Sequence, residues 1–580
     1  VTAFAPPTAD QLLAIRVNAG IAELAQHQRF AHAEPDLVEA IVEGVGQFAA
    51  GEFAPLNRIG DVEGARLENG VVRLPEGFAA AYRAYVEQGW NAIASPTAFG
   101  GQGLPFTLAC NVLENLGAAN MAFTLLPMLS VGAIEALEHH GSPAQQAMYL
   151  PNLVSGKWSG TMNLTEPAAG SDVGALRTTA TPIETGPHAG KYRITGQKIY
   201  ITWGEHELAE NIIHLVLARL PGAPEGSRGI SLFVVPKYHV NADGSLGPKN
   251  DLRCVSLEHK LGINASPTCV MSYGDNGECI GELVGAPNRG LAAMFTMMNN
   301  ARINVGNQGV QIAERATQQA AAYARDRVQS ARAGSPDKTP VAIIEHPDVR
   351  RMILRMKALT EGVRALLYYC AGQVDRGHLG DEAARARAEI LVPLLKAWGT
   401  DVGVEVASLG IQVHGGMGYV EETGAAQHWR DARIAPIYEG TNGIQAADLV
   451  TRKLALEGGA AIRALFETIA REAAGAPALA ALARDCGAVA RWMQDEASLD
   501  DRLAGSVPFC TMAAVCVAGW QLLRQAEAVA AGAAPALAAT KPVTARFFLE
   551  RIVPEAAGLS AGATAGAALL YALPSAALVG

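Results

Sequence analysis

The chain has 580 residues, more than one hydrophobic core accommodates, which argues for roughly two to four domains. A composition of 49% hydrophobic and 18% charged residues is that of a globular protein, and a net charge of −10 argues against a nucleic-acid face, which calls for a basic surface. Eight cysteines without a CxxC pair argue against a zinc site or a disulfide framework and fit a reducing cytoplasm.

The start, VTAFAPPTADQLLAI, lacks a basic segment followed by an apolar one, so no signal peptide is expected. Residues 1–157 read as an α domain, because LVEAIVEGVGQFAA, EGFAAAYRAYVEQGW and SPAQQAMYLPNLVSG repeat apolar residues at helical spacing. The texture changes at about 158. WSGTMNL, KYRITGQKIYITWG, NIIHLVLARL, RGISLFVVPKYHV and TCVMSYGDNGECIGELVG are short, rich in Ile, Val, Thr and Tyr, and bounded by turn residues. They predict a middle β domain over 158–283, a barrel or sandwich. Residues 284–455 return to long helical runs with short connections, as in an antiparallel four-helix bundle. An alanine-rich α domain is expected over 456–580. From 458 onward it carries nine Lys or Arg against ten Asp or Glu, so it is not a basic tail. Its last 25 residues carry no charge and are long enough to cross a membrane, but glycine, alanine and Pro574 favour a buried or subunit-facing helix and tail over membrane insertion.

Four segments stand out. MNLTEPAAGSD (162–172) is a strand running into a turn, where Thr165 and Ser171 offer hydroxyls and Gly170 lets a ligand approach. GQKIYITWG (196–204) offers Tyr200, Thr202 and Trp203 to flank a flat ring and bond its edge. IQVHGGMGYVEE (411–422) is a glycine cluster that brings backbone close to a ligand. RIAPIYEGTNGIQAADLV (433–450) sets one carboxylate, Glu439, on a Gly- and Asn-rich turn ahead of an apolar helix. Each has a plainer reading beside the functional one: a turn, an amphipathic strand, a helix C-cap, and for Glu439 a cap at a helix start.

Together and in this order, TEPAAGSD, GQKIYITWG, QVHGGMGY and IYEGTNGIQ resemble the acyl-CoA dehydrogenase family over residues 1 to about 455. The resemblance implies an α+β, mostly α fold: N-terminal helical domain, middle β domain and C-terminal bundle, here with an extra C-terminal helical domain. It also implies FAD and the oxidation of an acyl-CoA thioester to trans-2-enoyl-CoA. Glu439 aligns with the family's base, which takes the α-proton while the β-hydrogen leaves as hydride to the flavin. The Glu439 N–H and a ribityl hydroxyl would polarise the thioester carbonyl.

By the same resemblance, Met162, Leu164 and Thr165 line the flavin ring, and Tyr200 and Thr202 face it. Gly170 and Ser171 reach the pyrophosphate or, for Ser171, the pantetheine of the substrate. Arg327 matches an arginine that binds FAD phosphate. Gln412 and Gly416 would meet the adenosine half across a subunit boundary, and Thr441 would bond it from the subunit of Glu439. Arg302 stands near the CoA mouth, with Asn299 where many relatives have aspartate. Tyr438 would be pocket wall and Gly440 clearance beside the base. Electron-transfer flavoprotein as acceptor, a homodimer and a cytoplasmic location follow from the same likeness. The chain continues about 125 residues beyond the YEGT-containing segment, as in the long subgroup that includes 3-methylmercaptopropionyl-CoA dehydrogenases and broad-range bacterial fatty acyl-CoA dehydrogenases. Two related readings stand beside this one: an acyl-CoA oxidase that uses oxygen, and a DNA-binding alkylation-response flavoprotein, against which the charge counts weigh.

Overall fold

The computed structural model describes residues 3–579. In chain order its helices include α1 (Pro35–Phe48), α2 (Phe78–Glu87), α3 (Phe106–His140), α4 (Pro143–Val154), α5 (Gly290–Asp326), α6 (Pro347–His378), α7 (Glu382–His414), α8 (Asn442–Thr451), α9 (Ala460–Glu472), α10 (Pro477–Asp495), α11 (Ser506–Ala530) and α12 (Lys541–Phe547), besides others such as Thr8–Ala14, Ala54–Glu63 and Ala425–Ala432. The chain divides into two compact units. One comprises residues 1–47, 105–118 and 302–580; the other comprises 48–104 and 119–301.

The second unit carries the strands: β1 (Arg66–Glu68), β2 (Val71–Arg73), β3 (Trp158–Asn163), β4 (Thr179–Pro182), β5 (Tyr192–Thr202), β6 (Asn211–Arg219), β7 (Ile230–Pro236), β8 (Tyr238–Val240), β9 (Leu246–Lys249), β10 (Leu252–Leu257), β11 (Thr268–Tyr273) and β12 (Ile280–Val284). The main sheet runs β10-β11-β5-β12-β7-β6-β3, and β4 pairs with both β5 and β6. That double pairing closes a ring of β5, β12, β7, β6 and β4, although its β4–β6 seam is the single pair Thr179–Arg219. Closure removes sheet edges. The enclosed core contains Ile194, Val216, Phe233, Val235 and Met271. Strands β3 and β7 are buried along their whole length and β6 nearly so, whereas the longer β5 alternates between buried and accessible residues. The hairpin β1–β2 was not anticipated within the helical N-terminal region. Three-residue strands leave too short a pattern to read, and its Val72 joins the β core.

The first unit is helical. The long α5, α6 and α7 form its centre, and α5 meets α7 through glycine. A Cβ at Gly309 would lie 1.9 Å from the Gly399 carbonyl oxygen, and one at Gly306 would lie 2.5 Å from Leu395 Cγ. Only glycine permits backbones to come so close. The start of α3 is held by Asp375 of α6, which accepts from the Phe106 and Thr107 N–H groups at 2.7 and 2.9 Å and from the Thr107 hydroxyl at 2.6 Å. This satisfies N-terminal donors that the helix itself leaves open.

Helices α9 to α12 pack in the same unit. Lys541 of α12 is buried and donates to Glu361 of α6 at 2.7 Å, with Asp10 at 2.6 Å from the same ammonium. The last segment, expected over 556–580 as a buried or subunit-facing helix and tail, forms no long helix among the described residues and is for the most part not buried within the chain. It makes two single turns, Ser560–Ala563 and Ser575–Leu578, and exposes Leu569, Leu570, Tyr571, Leu573, Leu578 and Val579. Gly566 in the left-handed region and Pro574 interrupt any longer helix. Two helices, α3 and α11, are long and apolar enough to cross a membrane, and both are largely buried within the protein.

Candidate active site

Glu439 lies on the connection from Ala432 to α8. The turn is built from local bonds: Ile437 N–H to Ile434 O at 2.9 Å, Tyr438 N–H to Ile434 O at 3.1 Å and Asn442 N–H to Pro436 O at 3.0 Å. Glu439 and Gly440 follow each other in the left-handed region, at φ of 55° and 82°. That conformation is costly for glutamate and persists only where surrounding contacts over-determine it. Those contacts are present. Arg302 Nε of α5 donates to Glu439 O at 3.4 Å, and Gln445 Nε2 of α8 donates to Glu439 O and Gly440 O at 3.3 and 3.4 Å. Lys396 Nζ of α7 donates to Gly440 O at 2.7 Å and Asn442 Oδ1 at 3.0 Å. A Cβ at Gly440 would come within 2.7 Å of Gln445 Nε2, so glycine fits this turn for space as well as for φ.

The cap of α8 is Thr441, whose hydroxyl accepts from Ile444 N–H at 3.2 Å, so Glu439 is not the cap of the following helix. Among the described residues, none accepts from the Glu439 N–H. Burial pushes the Glu439 carboxyl up to about 7, against the pull of Arg302 and Lys396. Burial brings Lys396 down to about 8, opposed by Glu439 and Asp401. The Arg302 guanidinium is lowered by burial, opposed by Asp448 and Glu439. Tyr438 donates to Gln308 Oε1, and burial raises its phenol far above the ordinary range. The arrangement can do one thing well: hold a carboxylate near neutrality between ionised and neutral forms, beside an open backbone donor.

In the strand unit, the EPAAGSD turn is anchored from below. Glu166 is buried and accepts from Arg177 N–H at 2.6 Å, Thr178 N–H at 3.1 Å, the Thr178 hydroxyl at 2.6 Å and Lys198 Nζ at 2.8 Å. Burial works to raise its pKa, but Lys198 and these hydrogen bonds bring it below the ordinary carboxylate range. Lys198 also donates to Leu164 O at 3.0 Å, and Ile199 N–H to Thr165 O at 2.9 Å. The anchor leaves Gly170 and Ser171 exposed, Leu164 and Thr165 half-buried and Met162 buried. A Cβ on Gly170 would meet no atom within 4 Å.

The neighbouring strand β5 bulges against β11, where the register shifts between Cys269 and Met271. Tyr200 takes φ 60° there and is 59% exposed, while Thr202 is half-buried. Trp203 does not flank a ligand ring as expected. It is fully buried, stacks on Phe123 and donates its indole N–H to Ala122 O at 3.3 Å. The bulge inverts the simple in–out alternation over these residues.

Comparison with known proteins gives the family. Models of the acyl-CoA dehydrogenase N-terminal, middle and C-terminal domains match residues 36–157, 161–275 and 288–454. The chain is 48% identical to 3-methylmercaptopropionyl-CoA dehydrogenase of Ruegeria pomeroyi over 95% of its own length and 96% of that protein's. The chain belongs to the acyl-CoA dehydrogenase family. It is an oxidoreductase of that family, and the extra C-terminal segment matches a further model, acetyl-CoA dehydrogenase C-terminal like, over 460–574. The broad-specificity linear acyl-CoA dehydrogenase FadE5 of Mycobacterium tuberculosis is 32% identical over 94% of the chain and 95% of that protein. An acyl-CoA dehydrogenase of Bacillus anthracis, solved complexed with FAD, shares the fold at a TM-score of 0.75, 20% identity, and 95% and 91% coverage of the two chains.

Against this family, the structure sets Tyr438, Glu439, Gly440 and Thr441 on one turn, with one hydrogen bond from Arg302 of α5 to the Glu439 carbonyl. It gathers Met162, Leu164, Thr165, Gly170 and Ser171 on another, tied to the strand of Tyr200 and Thr202 by Lys198. Arg327, Gln412 and Gly416 are exposed at or just beyond the ends of α5 and α7. Sequence reasoning passed over Lys396, Gln445, Lys198 and Glu166. The available signal was a lysine inside an apolar helical run, VPLLKAW: a charge at a core position needs a partner.

Proposed function

We propose that this acyl-CoA dehydrogenase uses FAD to convert an acyl-CoA thioester to its trans-2-enoyl-CoA, with Glu439 as the base. The observation that carries the proposal is Glu439 itself: a carboxylate pushed up to about 7, held in a left-handed turn, with its own N–H open. A base near neutrality is matched to work at physiological pH. In this reading Glu439 takes the α-proton on its carboxylate. Its N–H donates to the thioester carbonyl and stabilises the charge that develops there. Gly440 keeps side-chain atoms away from the approach. Tyr438, fixed by Gln308, walls the acyl side, and Arg302 and Ser171 contact the CoA portion.

Each unit by itself offers groups suited to a flavin dinucleotide. Thr165, Ser171 and Thr202 offer hydroxyls, Tyr200 presents an accessible ring, and Met162 and Leu164 give apolar wall. Arg327 offers an exposed guanidinium for phosphate, and Thr441, Gln412 and Gly416 offer polar and backbone contacts to the adenosine half. FAD, when bound, supplies the acceptor for the β-hydrogen and its electron pair. The exposure of Gln412 and Gly416 supports service to the flavin of a second copy, and hence a working homodimer. Electron-transfer flavoprotein is the proposed acceptor, in place of oxygen.

The 48% identity over nearly the whole chain supports a short thioether acyl-CoA, 3-methylmercaptopropionyl-CoA, as the substrate to try first. Anaerobic mixing with this thioester and with straight-chain acyl-CoAs of increasing length tests the reading. Flavin bleaching with formation of the enoyl thioester is expected, fastest with the short thioether. Absence of bleaching with every thioester would overturn the proposal, and rapid reoxidation of the product-bound flavin by air would overturn the choice of acceptor.

A further inference from the structure

Lys396 occupies a position where the helix pattern wants an apolar residue. Its neighbours Leu394 and Leu395 are fully buried, and so is Lys396 itself. An ammonium there is costly unless paired. Among the described residues, no carboxylate forms an ion pair with it. Its hydrogen bonds go to Gly440 O and Asn442 Oδ1, both in the turn of Glu439. Of the side-chain contacts to the carbonyls of Glu439 and Gly440, this one is the shortest, at 2.7 Å against 3.3 to 3.4 Å for Gln445 and Arg302. Asn442 is in turn locked onto α7, donating to Ala397 O at 3.0 Å and Asp401 Oδ1 at 2.8 Å.

A neutral donor such as glutamine would satisfy the same two oxygens without burying a charge. The charge finds its use only if Glu439 is ionised. We propose that Lys396 is a positioning residue for the base: from the buried face of α7 it pins the peptide that follows Glu439 and supplies a nearby positive charge that favours the ionised carboxylate. The proposal rests on the reading of Glu439 as the base. The other charged groups around the turn are Arg302 from α5, Asp401 from α7, Asp448 from α8 and Arg452 just beyond its end. The last two are paired with each other at 2.6 Å.

The test uses the full-length, FAD-loaded protein with 3-methylmercaptopropionyl-CoA as probe, in native, K396M, K396R, N442A and E439Q forms. Two readouts are taken: hydrogen–deuterium exchange of the peptide spanning Tyr438–Gln445 without substrate, and the pH dependence of anaerobic flavin bleaching. K396M is expected to exchange that peptide roughly tenfold faster or more. Its ascending limb should move up by about one pH unit, because an opposite charge no longer favours the carboxylate. K396R keeps the charge and should restore the native limb. N442A removes one acceptor but no charge, so exchange should quicken while the limb stays. Native exchange and a native limb in K396M, with E439Q inactive, would overturn the proposal and leave the base in place. If K396M does not fold, native exchange in N442A overturns it. Native bleaching in E439Q would instead overturn the reading of Glu439 on which it rests.

Discussion

A carboxylate becomes a stronger base when its charge is hard to keep, and Glu439, half-buried in its turn, meets that condition through the protein packed around it. The sign of the consequence is fixed. Its pKa is raised in the folded chain, so the folded state holds its proton more tightly than the unfolded one. The stability this gives is full below the ordinary carboxylate value of about 4.5 and is lost as pH rises toward about 7. E439Q should therefore be more stable than the native chain at pH 8, by on the order of 2 kcal/mol, and nearly equal to it at pH 4. Denaturant unfolding at the two pH values checks this. In the native enzyme kcat/KM should rise with pH through about 7, because the base must be ionised before substrate arrives. At this same scale the IYITWG segment divides its labour. Trp203→Ala should cost about 3–5 kcal/mol, since it empties a core site. Tyr200→Ala should leave stability within about 0.5 kcal/mol and instead weaken FAD retention, measured by flavin absorbance after dialysis. Period-two reading could not separate these residues, because the bulge that turns Tyr200 out lies in the pairing with β11, some 70 residues further along the chain.

At the scale of elements, two buried lysines do similar work in different settings. Lys198 of β5 ties the EPAAGSD turn to its strand through Glu166, and Lys396 of α7 ties the Glu439 turn to its helix. Lys198→Met leaves Glu166 buried without its cation. It should cost about 3–5 kcal/mol by denaturant unfolding and release FAD as the turn loosens. Acidification should act in the same direction. The Glu166 carboxyl lies below its ordinary value, so its contribution is present above about 4.5 and lost as pH falls through its folded value. The elements themselves were largely legible. The long apolar periodicities of α5, α6 and α7 and the β-branched strands of the middle region appear where their patterns predict. Their partners were not legible, because Lys396 meets Gly440 across 44 residues and Asp375 caps α3 across 269. Such pairings are set by tertiary packing and leave no local period.

At the scale of the molecule, the extension beyond 456 is part of the helical unit. Phe548 meets Gly362 of α6, where a Cβ would come within 2.6 Å of its ring, and it lies edge-on to Trp398 of α7 at 6.2 Å. Lys541 adds buried contacts to Asp10 and Glu361. Lys541→Ala should cost about 3–5 kcal/mol because it leaves Asp10 without its ion-pair partner and Glu361 with Lys357 alone. A chain ending at 459 should aggregate on expression, because the apolar faces of α6 and α7 would lose their cover. Lower stability without aggregation in the truncated chain would show that the extension is dispensable for folding. The uncharged last segment has a composition that allows a buried or a subunit-facing helix, and composition alone does not separate the two. Gly566 and Pro574 interrupt any longer helix, and the apolar side chains from Leu569 to Val579 stand exposed.

The central claim is that Glu439 takes the α-proton, and Glu439→Gln tests it most directly, since the amide keeps the shape and removes the base. Anaerobic single-turnover mixing of the FAD-loaded variant with 3-methylmercaptopropionyl-CoA measures the outcome. The account predicts native FAD content and thioester binding, with flavin bleaching slowed about 10²–10⁴-fold or more. Bleaching at the native rate would contradict it.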